Sequence, residues 1–293
     1  MLYCLFINDG FLHHKNLNAI NNYKNIHFDI INNVNELFNI NLKNYDAVFS
    51  PTTPINVSLF LNNNIKFIFG PQFSVFPLES QILQIISDNS YYIILSEWVK
   101  NSWLKYPFCN KLKLVNIPFG VDTDIFKPIY NRTSLIQNGK VFIYFKSRHP
   151  VELDFLKYLF NYNNIHFEFF SYQDKYNEID YLNVLQHAKY GVWLDAHESQ
   201  GFALQEALSC NVPLLVWDVS SMKQEYGQNY DDIPATSIPY WDNRCGEFFY
   251  NQNDFFITFN KFINKLSEYS PREFVLENLS MDVCEKQFMN LMI

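Results

Sequence analysis

The chain has 293 residues, of which 48% are apolar and 18% aromatic, enough to fill one large domain or two of ordinary size. A net charge of -8 argues against the basic field that nucleic-acid binding needs, although a local basic groove stays open. Five scattered cysteines without a CxxC pair read as reduced thiols, and neither a signal segment nor a run near the roughly 18 apolar residues of a membrane span is present, so a soluble cytoplasmic protein is expected.

Short apolar runs alternate with helical patterns from the start. Leu2–Ile7, His27–Ile31, Ala47–Ser50, Lys66–Phe69 and Tyr91–Leu95 read as buried strands, and Pro77–Ser87 and Glu97–Tyr106 as helices. The pattern pauses over residues 118–140, which are rich in Pro, Gly, Asp and Asn and read as a linker. Alternation then restarts. Strands are expected at Val141–Phe145, Ile165–Phe170, Gly191–Leu194 and Val212–Trp217, with helices at Val151–Phe160, Asp180–Ala188 and Phe202–Ser209. Two βα runs separated by a linker imply an α/β chain of two Rossmann-like halves, 1–120 and 121–270. In "SPREFVLENL" Ser270 fits an N-cap, Pro271 the first helical position and Glu273 a capping box. One helix is expected over 271–293, packing back toward the N-terminal half.

Several chemistries lack their residues. None of the eight glycines falls in GxGxxG or GxxxxGK[ST] spacing, and neither GxSxG nor HExxH occurs. The seven histidines show no metal spacing, and the adjacent His13 and His14 would diverge by about 100° on a regular helix. No metal and no cofactor are expected. What stands out is "HESQGFALQEALSCNVPLLVWD" (197–218), where Glu206 sits in an otherwise apolar helical pattern and Glu198 stands before it. A solvent-facing helix residue is the plain reading of Glu206; a ligand contact is the other.

The segment resembles the E-x7-E region of retaining GT-B glycosyltransferases of the nucleotide-sugar-dependent group 1, or family 4, type. The likeness lies in Glu198, Gly201-Phe202, Glu206-Ala207 and the Asn211-Val212-Pro213 turn. "IPFGVDTDIFKP" (117–128) resembles the interdomain signature of that group, "LSEWVKNSW" (95–103) its N-terminal closing helix, and "FGPQFSVFP" (69–77) its acceptor-facing loop. Departures are the reduced "NDGFLHH" loop, "FKSRHP" in place of a Gly-Arg…Lys-Gly pair, Asn211 in place of Gly, and a shortened N-terminal half.

The resemblance implies a GT-B fold with a cleft between its domains. It also implies transfer of a sugar, with retention and without metal, from a nucleotide-sugar to a glycan or other hydroxyl acceptor. It assigns Glu206 to the donor ribose, Glu198 to the transferred sugar, and Gly201 and Phe202 to phosphate at a helix start. Leu204, Ala207 and Leu208 would pack inward and leave Glu206 on the opposite face. Lys146 and Arg148 would neutralise the diphosphate as charge develops, with His149 assisting, or with Lys15 or Lys100 as other sources of charge. Tyr172 would stack on the base or pack in the core, and His13 and His14 would lie on the acceptor side. The alternatives are a viral transferase acting on DNA bases and a non-catalytic glycan-binding module.

Overall fold

The computed structural model describes residues 1–63 and 65–293, which divide into two compact units: Met1–Gly120 with Met281–Ile293, and Val121–Ser280. The first unit contains β1 (Leu2–Ile7), α1 (His14–Asn21), β2 (Ile26–Ile31), β3 (Ala47–Ser50) and β4 (Lys66–Phe69). It continues with α2 (Glu79–Ile85), β5 (Ser90–Ile94), α3 (Glu97–Trp103) and β6 (Lys113–Asn116). Its strands form a parallel sheet in the order β2-β1-β3-β4-β5-β6.

The second unit opens with α4 (Arg132–Asn138), β7 (Lys140–Lys146), α5 (Pro150–Tyr162), β8 (Phe167–Ser171), α6 (Glu178–Gln186) and β9 (Ala188–Asp195). Then follow α7 (Phe202–Ser209), β10 (Leu214–Trp217), β11 (Gly246–Phe249), α8 (Phe255–Asn264) and α9 (Pro271–Asn278). The strands pair in parallel in the order β11-β10-β9-β7-β8. A parallel sheet covered on both faces demands strands that are apolar throughout. β7 meets the demand by alternation: Phe142 and Tyr144 enter one core with α6, α7 and α9, while Val141, Ile143 and Phe145 enter another with α5 and α8. Tyr144 stacks on Trp193 of β9 at 3.9 Å between ring centroids. Gly191 makes room for Phe142, since a Cβ there would lie 2.3 Å from its ring.

The structure departs from the sequence expectations where tertiary hydrogen bonds overrule local pattern. The segment 118–140 is not all linker, because Asn131 caps α4 through its side chain. Ala188 begins β9 instead of ending a helix, since the carbonyl of His187 is taken by the Lys140 N–H at 2.8 Å. β6 and β11 are four residues each, too short to stand out in the sequence, while the ten-residue α8 lies in a stretch for which no element is expected. The expected C-terminal helix is two helices, α9 and α10 (Met281–Met289). It breaks at Leu279, whose carbonyl accepts from the N–H of Val121 at 2.9 Å, so Ser280 runs parallel to Val121. Ser270 stands at the N-cap but its side chain makes no capping bond, so the expected capping box is absent; Pro271 does occupy the first turn. α10 belongs to the first unit, where Phe288 packs on Phe49 and Glu285 accepts from the Asn25 backbone and side chain.

Arg272 of α9 ties the start of the second unit to its core. Its guanidinium donates to the carbonyls of Phe126 (3.1 Å), Ser209 (2.7 Å) and Thr123 (3.1 Å). Arg272→Ala is expected to cost about 2–4 kcal/mol, because three acceptors lose a charged donor. Arg272→Lys should restore only part, since a point charge cannot reach all three. Urea unfolding of the three proteins checks this.

Candidate active site

The strand order of the second unit reverses between β7 and β9: the chain leaves β7 for β8 on one side, then returns to β9 on the other. Open α/β sheets bind ligands beyond the carboxyl ends of their strands at such a switch point. The residues there are Lys146, last of β7, and its register partner Asp195, last of β9.

Around them the loops bring together Tyr172, which follows β8, Glu198, which follows β9, and the start of α7. The Lys146 ammonium pairs with the Glu198 carboxylate and lies 4.7 Å from the centre of the Tyr172 ring. Tyr172 is 54% exposed, so its ring is not core packing. Burial alone would lower the Lys146 pKa, but the carboxyl groups of Asp195 and Glu198 outweigh it and hold the ammonium above its ordinary range. Burial pushes the Asp195 carboxyl well up; Lys146 opposes the rise and Glu198 adds to it.

Gly201 is the N-cap of α7 at φ +78°, in the left-handed region open to glycine, and its turn leaves the first N–H groups of the helix at this edge of the sheet. Gln205 holds the same turn by donating to the Gln200 carbonyl at 2.7 Å. Asn211 replaces the glycine of the resembling pattern and keeps its backbone, with φ +62°, a conformation asparagine tolerates.

Two expectations require correction. Arg148 does not face open space. Ser147, at φ +49°, turns the chain so that Arg148 returns beneath the strand ends, where it is 1% exposed. Its Nε and Nη2 bind both oxygens of Glu152 (2.9 and 2.8 Å), and Nη1 donates to the terminal carbonyls of β9 and β10, Asp195 (3.1 Å) and Trp217 (2.7 Å). Glu206 is not on a polar face either. It is 5% exposed, because α7 is enclosed by the sheet and α9 and is buried from Leu204 to Ser209. Its charge is felt by Tyr176, Tyr181 and Cys210, so it lies on the α6 side of α7. His149 caps α5, accepting from the N–H of Val151 at 3.2 Å.

Sequence reading passed over a supporting layer. Asp218, just after β10, accepts from the backbone and hydroxyl of Ser237 (2.7 and 2.8 Å) and from the Thr236 hydroxyl (2.8 Å), and the Thr236 carbonyl accepts from the N–H of Glu198 (3.0 Å). His197 lies 3.4 Å from the Glu225 carboxylate; burial lowers its pKa, with Lys146 acting in the same sense and Glu198 against it. An acid ending an apolar strand, as in Trp193-Leu194-Asp195 and Val216-Trp217-Asp218, was the available signal. Among the described residues no group of three or more His, Cys, Asp or Glu side chains is placed to hold a metal ion, and no helix is long and apolar enough to cross a membrane.

In the first unit the switch point lies between β1 and β3. There the carbonyl of Asp9 accepts from the hydroxyls of Thr52 and Thr53, and the N–H of His13 donates to the Gln72 side chain at 2.8 Å. The His13 and His14 rings stack at 4.5 Å rather than diverging, because His13 is the extended N-cap of α1 and not a helical residue. The acceptor-loop candidate, with a cis Gly70-Pro71 bond, therefore adjoins the histidines within this unit. Lys100 pairs with Glu97 on α3.

No family model matches the sequence, and no curated protein matches it. Solved structures do share the fold. Sucrose-phosphate synthase from Thermosynechococcus elongatus aligns over 99% of this chain and 98% of its own, at 11% identity and a TM-score of 0.54. The N-terminal domain of trehalose-6-phosphate phosphatase from Candida albicans aligns over 99% and 96%, at 10% identity and 0.55. An alpha-glucosyltransferase solved with UDP-glucose and DNA containing an abasic site aligns over 99% and 98%, at 12% identity and 0.52. The chain thus has the α/β GT-B fold, two parallel sheets of six and five strands with interleaved helices.

The geometry recasts Arg148 as a scaffold for the strand ends. Arg148→Ala should lose about 2–4 kcal/mol of stability, since two carbonyls and the Glu152 carboxylate lose their partner. Arg148→Lys should recover less than half of that. Equal unfolding midpoints for wild type and Arg148→Ala would return the residue to the ligand side.

Proposed function

We propose that the protein is a glycosyltransferase that moves a sugar from a nucleotide-sugar to an acceptor hydroxyl, with retention of configuration and without a metal. One observation carries this reading: a lysine ammonium stands at the switch point of the second sheet, beside an exposed tyrosine ring, a glutamate and the start of a helix. The carboxylate now on Lys146 leaves when a diphosphate arrives, because the phosphate oxygens carry more charge. Lys146 and the first N–H groups of α7 then stabilise the leaving diphosphate.

Glu198 contacts the transferred sugar, and Tyr172 offers its exposed ring to the base. Glu206, although enclosed, accepts from the ribose hydroxyls at the α6 side of α7, and Gly201 and Phe202 bring backbone N–H groups to the phosphate. His13 and His14 serve the acceptor. Retention needs no nucleophile from the enzyme: the acceptor attacks on the face from which the diphosphate departs, and a donor phosphate oxygen takes its proton. Catalysis is then positioning plus charge stabilisation. The charge of Lys146 stands where a divalent ion would otherwise be needed.

Incubation with UDP-, GDP- and ADP-sugars, with release of nucleoside diphosphate measured against a panel of sugar acceptors, tests the reading. Lys146→Ala should lower kcat by about 10²–10³. Glu206→Gln, which keeps the packed volume, should lower donor kcat/KM roughly 10-fold or more while acceptor KM holds. Turnover should survive EDTA. Absence of release with every donor, together with no thermal shift from any nucleoside diphosphate, would overturn the proposal.

A further inference from the structure

Asp195 has no task in the donor-site reading on which this inference rests, yet its carboxyl is enclosed at the switch point. It is 1% exposed, its Oδ1 is buried without a hydrogen-bond partner, and it ends β9 in register with Lys146, whose ammonium Glu198 already pairs. Two enclosed carboxyl groups beside one ammonium leave one of them without a charge partner, and a buried carboxyl in that position is stable only with its proton. Of the two, Asp195 is the more enclosed and bears the greater cost of carrying charge; Glu198 spends its charge on Lys146.

The groups facing the pair come from every surrounding element. Lys146 and Tyr144 approach from β7 and Tyr181 from α6, while His197 and Glu225 approach from the loops after β9 and β10. Two cations stand there: Lys146, and Arg148, which donates to the Asp195 backbone carbonyl and is neutralised by Glu152. With both carboxyls ionised the Lys146–Asp195–Glu198 group would carry a net negative charge at the place where a diphosphate must enter. With one proton it is neutral, and the ammonium can exchange one anion for another without leaving a bare pair of carboxylates behind.

We infer that Asp195 and Glu198 hold a single proton between them, carried by Asp195, and that this shared proton is what lets Lys146 turn from Glu198 to the diphosphate of a donor. Asp195 is a positioning residue in this scheme. It touches neither sugar nor phosphate, and acts by halving the negative charge beside Lys146. The consequence is a pH dependence of nucleotide binding that belongs to Asp195: affinity is held while the pair keeps its proton and falls once rising pH removes it.

The experiment compares wild type with Asp195→Asn, which is isosteric with the protonated acid. Binding of UDP, GDP and ADP is followed by calorimetry from neutral into alkaline pH. Wild-type affinity should fall above the titration of the pair, approaching about tenfold per pH unit, while Asp195→Asn stays flat. Equal slopes in the two proteins would overturn the inference and move the titrating group to His197 or Glu225.

Unfolding temperature without nucleotide gives a second readout. A carboxyl raised in the folded state contributes stability that is lost as pH rises through its folded pKa, so the asparagine variant should gain on wild type as pH increases. A difference that stays constant with pH overturns the shared proton whether or not nucleotide binds. A sloping difference with no nucleotide binding keeps the proton and removes the donor-site reading. Should Asp195→Asn not fold, Glu198→Gln removes the other half of the pair and is compared in the same way.

Discussion

A lysine ammonium enclosed among carboxyl groups at the end of β7 is the constraint that the second unit is built around. Such a charge persists out of water only when its partners are fixed, because the cost of burying an unpaired ion exceeds any single hydrogen bond. Much of the surrounding architecture fixes them. Arg148 ties the ends of β9 and β10 together through the carbonyls of Asp195 and Trp217, which sets where Asp195 stands relative to Lys146. Asp218 anchors Thr236 and Ser237, and Thr236 in turn holds the backbone of Glu198. The site is thus two layers of polar groups, an inner one around Lys146 and an outer one that holds the backbone of its partners in place.

That division explains what was legible in the sequence. Apolar runs such as Leu2–Ile7 and Val141–Phe145 announce buried parallel strands because nothing else needs so many consecutive apolar residues, and their positions hold to within a residue or two. Phe202–Ser209 is readable as a helix from both flanks, a glycine before and Asn211-Val212-Pro213 after. Side-chain direction is another matter. "FKSRHP" offers two cations two residues apart, and nothing local says that one stays at the strand end and the other folds beneath it. The turn at Ser147 decides, and it is held by a bond from the N–H of Tyr226, almost eighty residues on. The same limit applies to Glu206, whose enclosure beside Tyr176 and Tyr181 no local pattern announces.

Where the sequence departs from the pattern it resembles, physics shows why the departure is tolerated. Asn211 keeps the left-handed backbone that glycine would supply and adds a side-chain acceptor for the N–H of Arg272. Arg272 then closes the segment 123–126 onto Ser209. One substitution therefore links the turn after α7 to the stretch that begins the second unit, a compensation that no residue-by-residue comparison reveals.

Glu206 raises the sharper question of why a packed helix should keep a carboxylate. Leu at this position would fill the space between α7 and α6 without any cost of desolvation, and Tyr181 already donates its hydroxyl to the Ala203 carbonyl there. A buried carboxylate beside Tyr176 and Tyr181 destabilises their ionised forms. Under the proposed function the carboxylate is kept for a ligand that donates hydrogen bonds to it, and polyhydroxyl compounds are such donors. The helix that carries Glu206 also presents its first N–H groups at this edge of the sheet, so under the same proposal one rigid element addresses hydroxyl and phosphate together. A sugar nucleotide offers both kinds of group on one molecule.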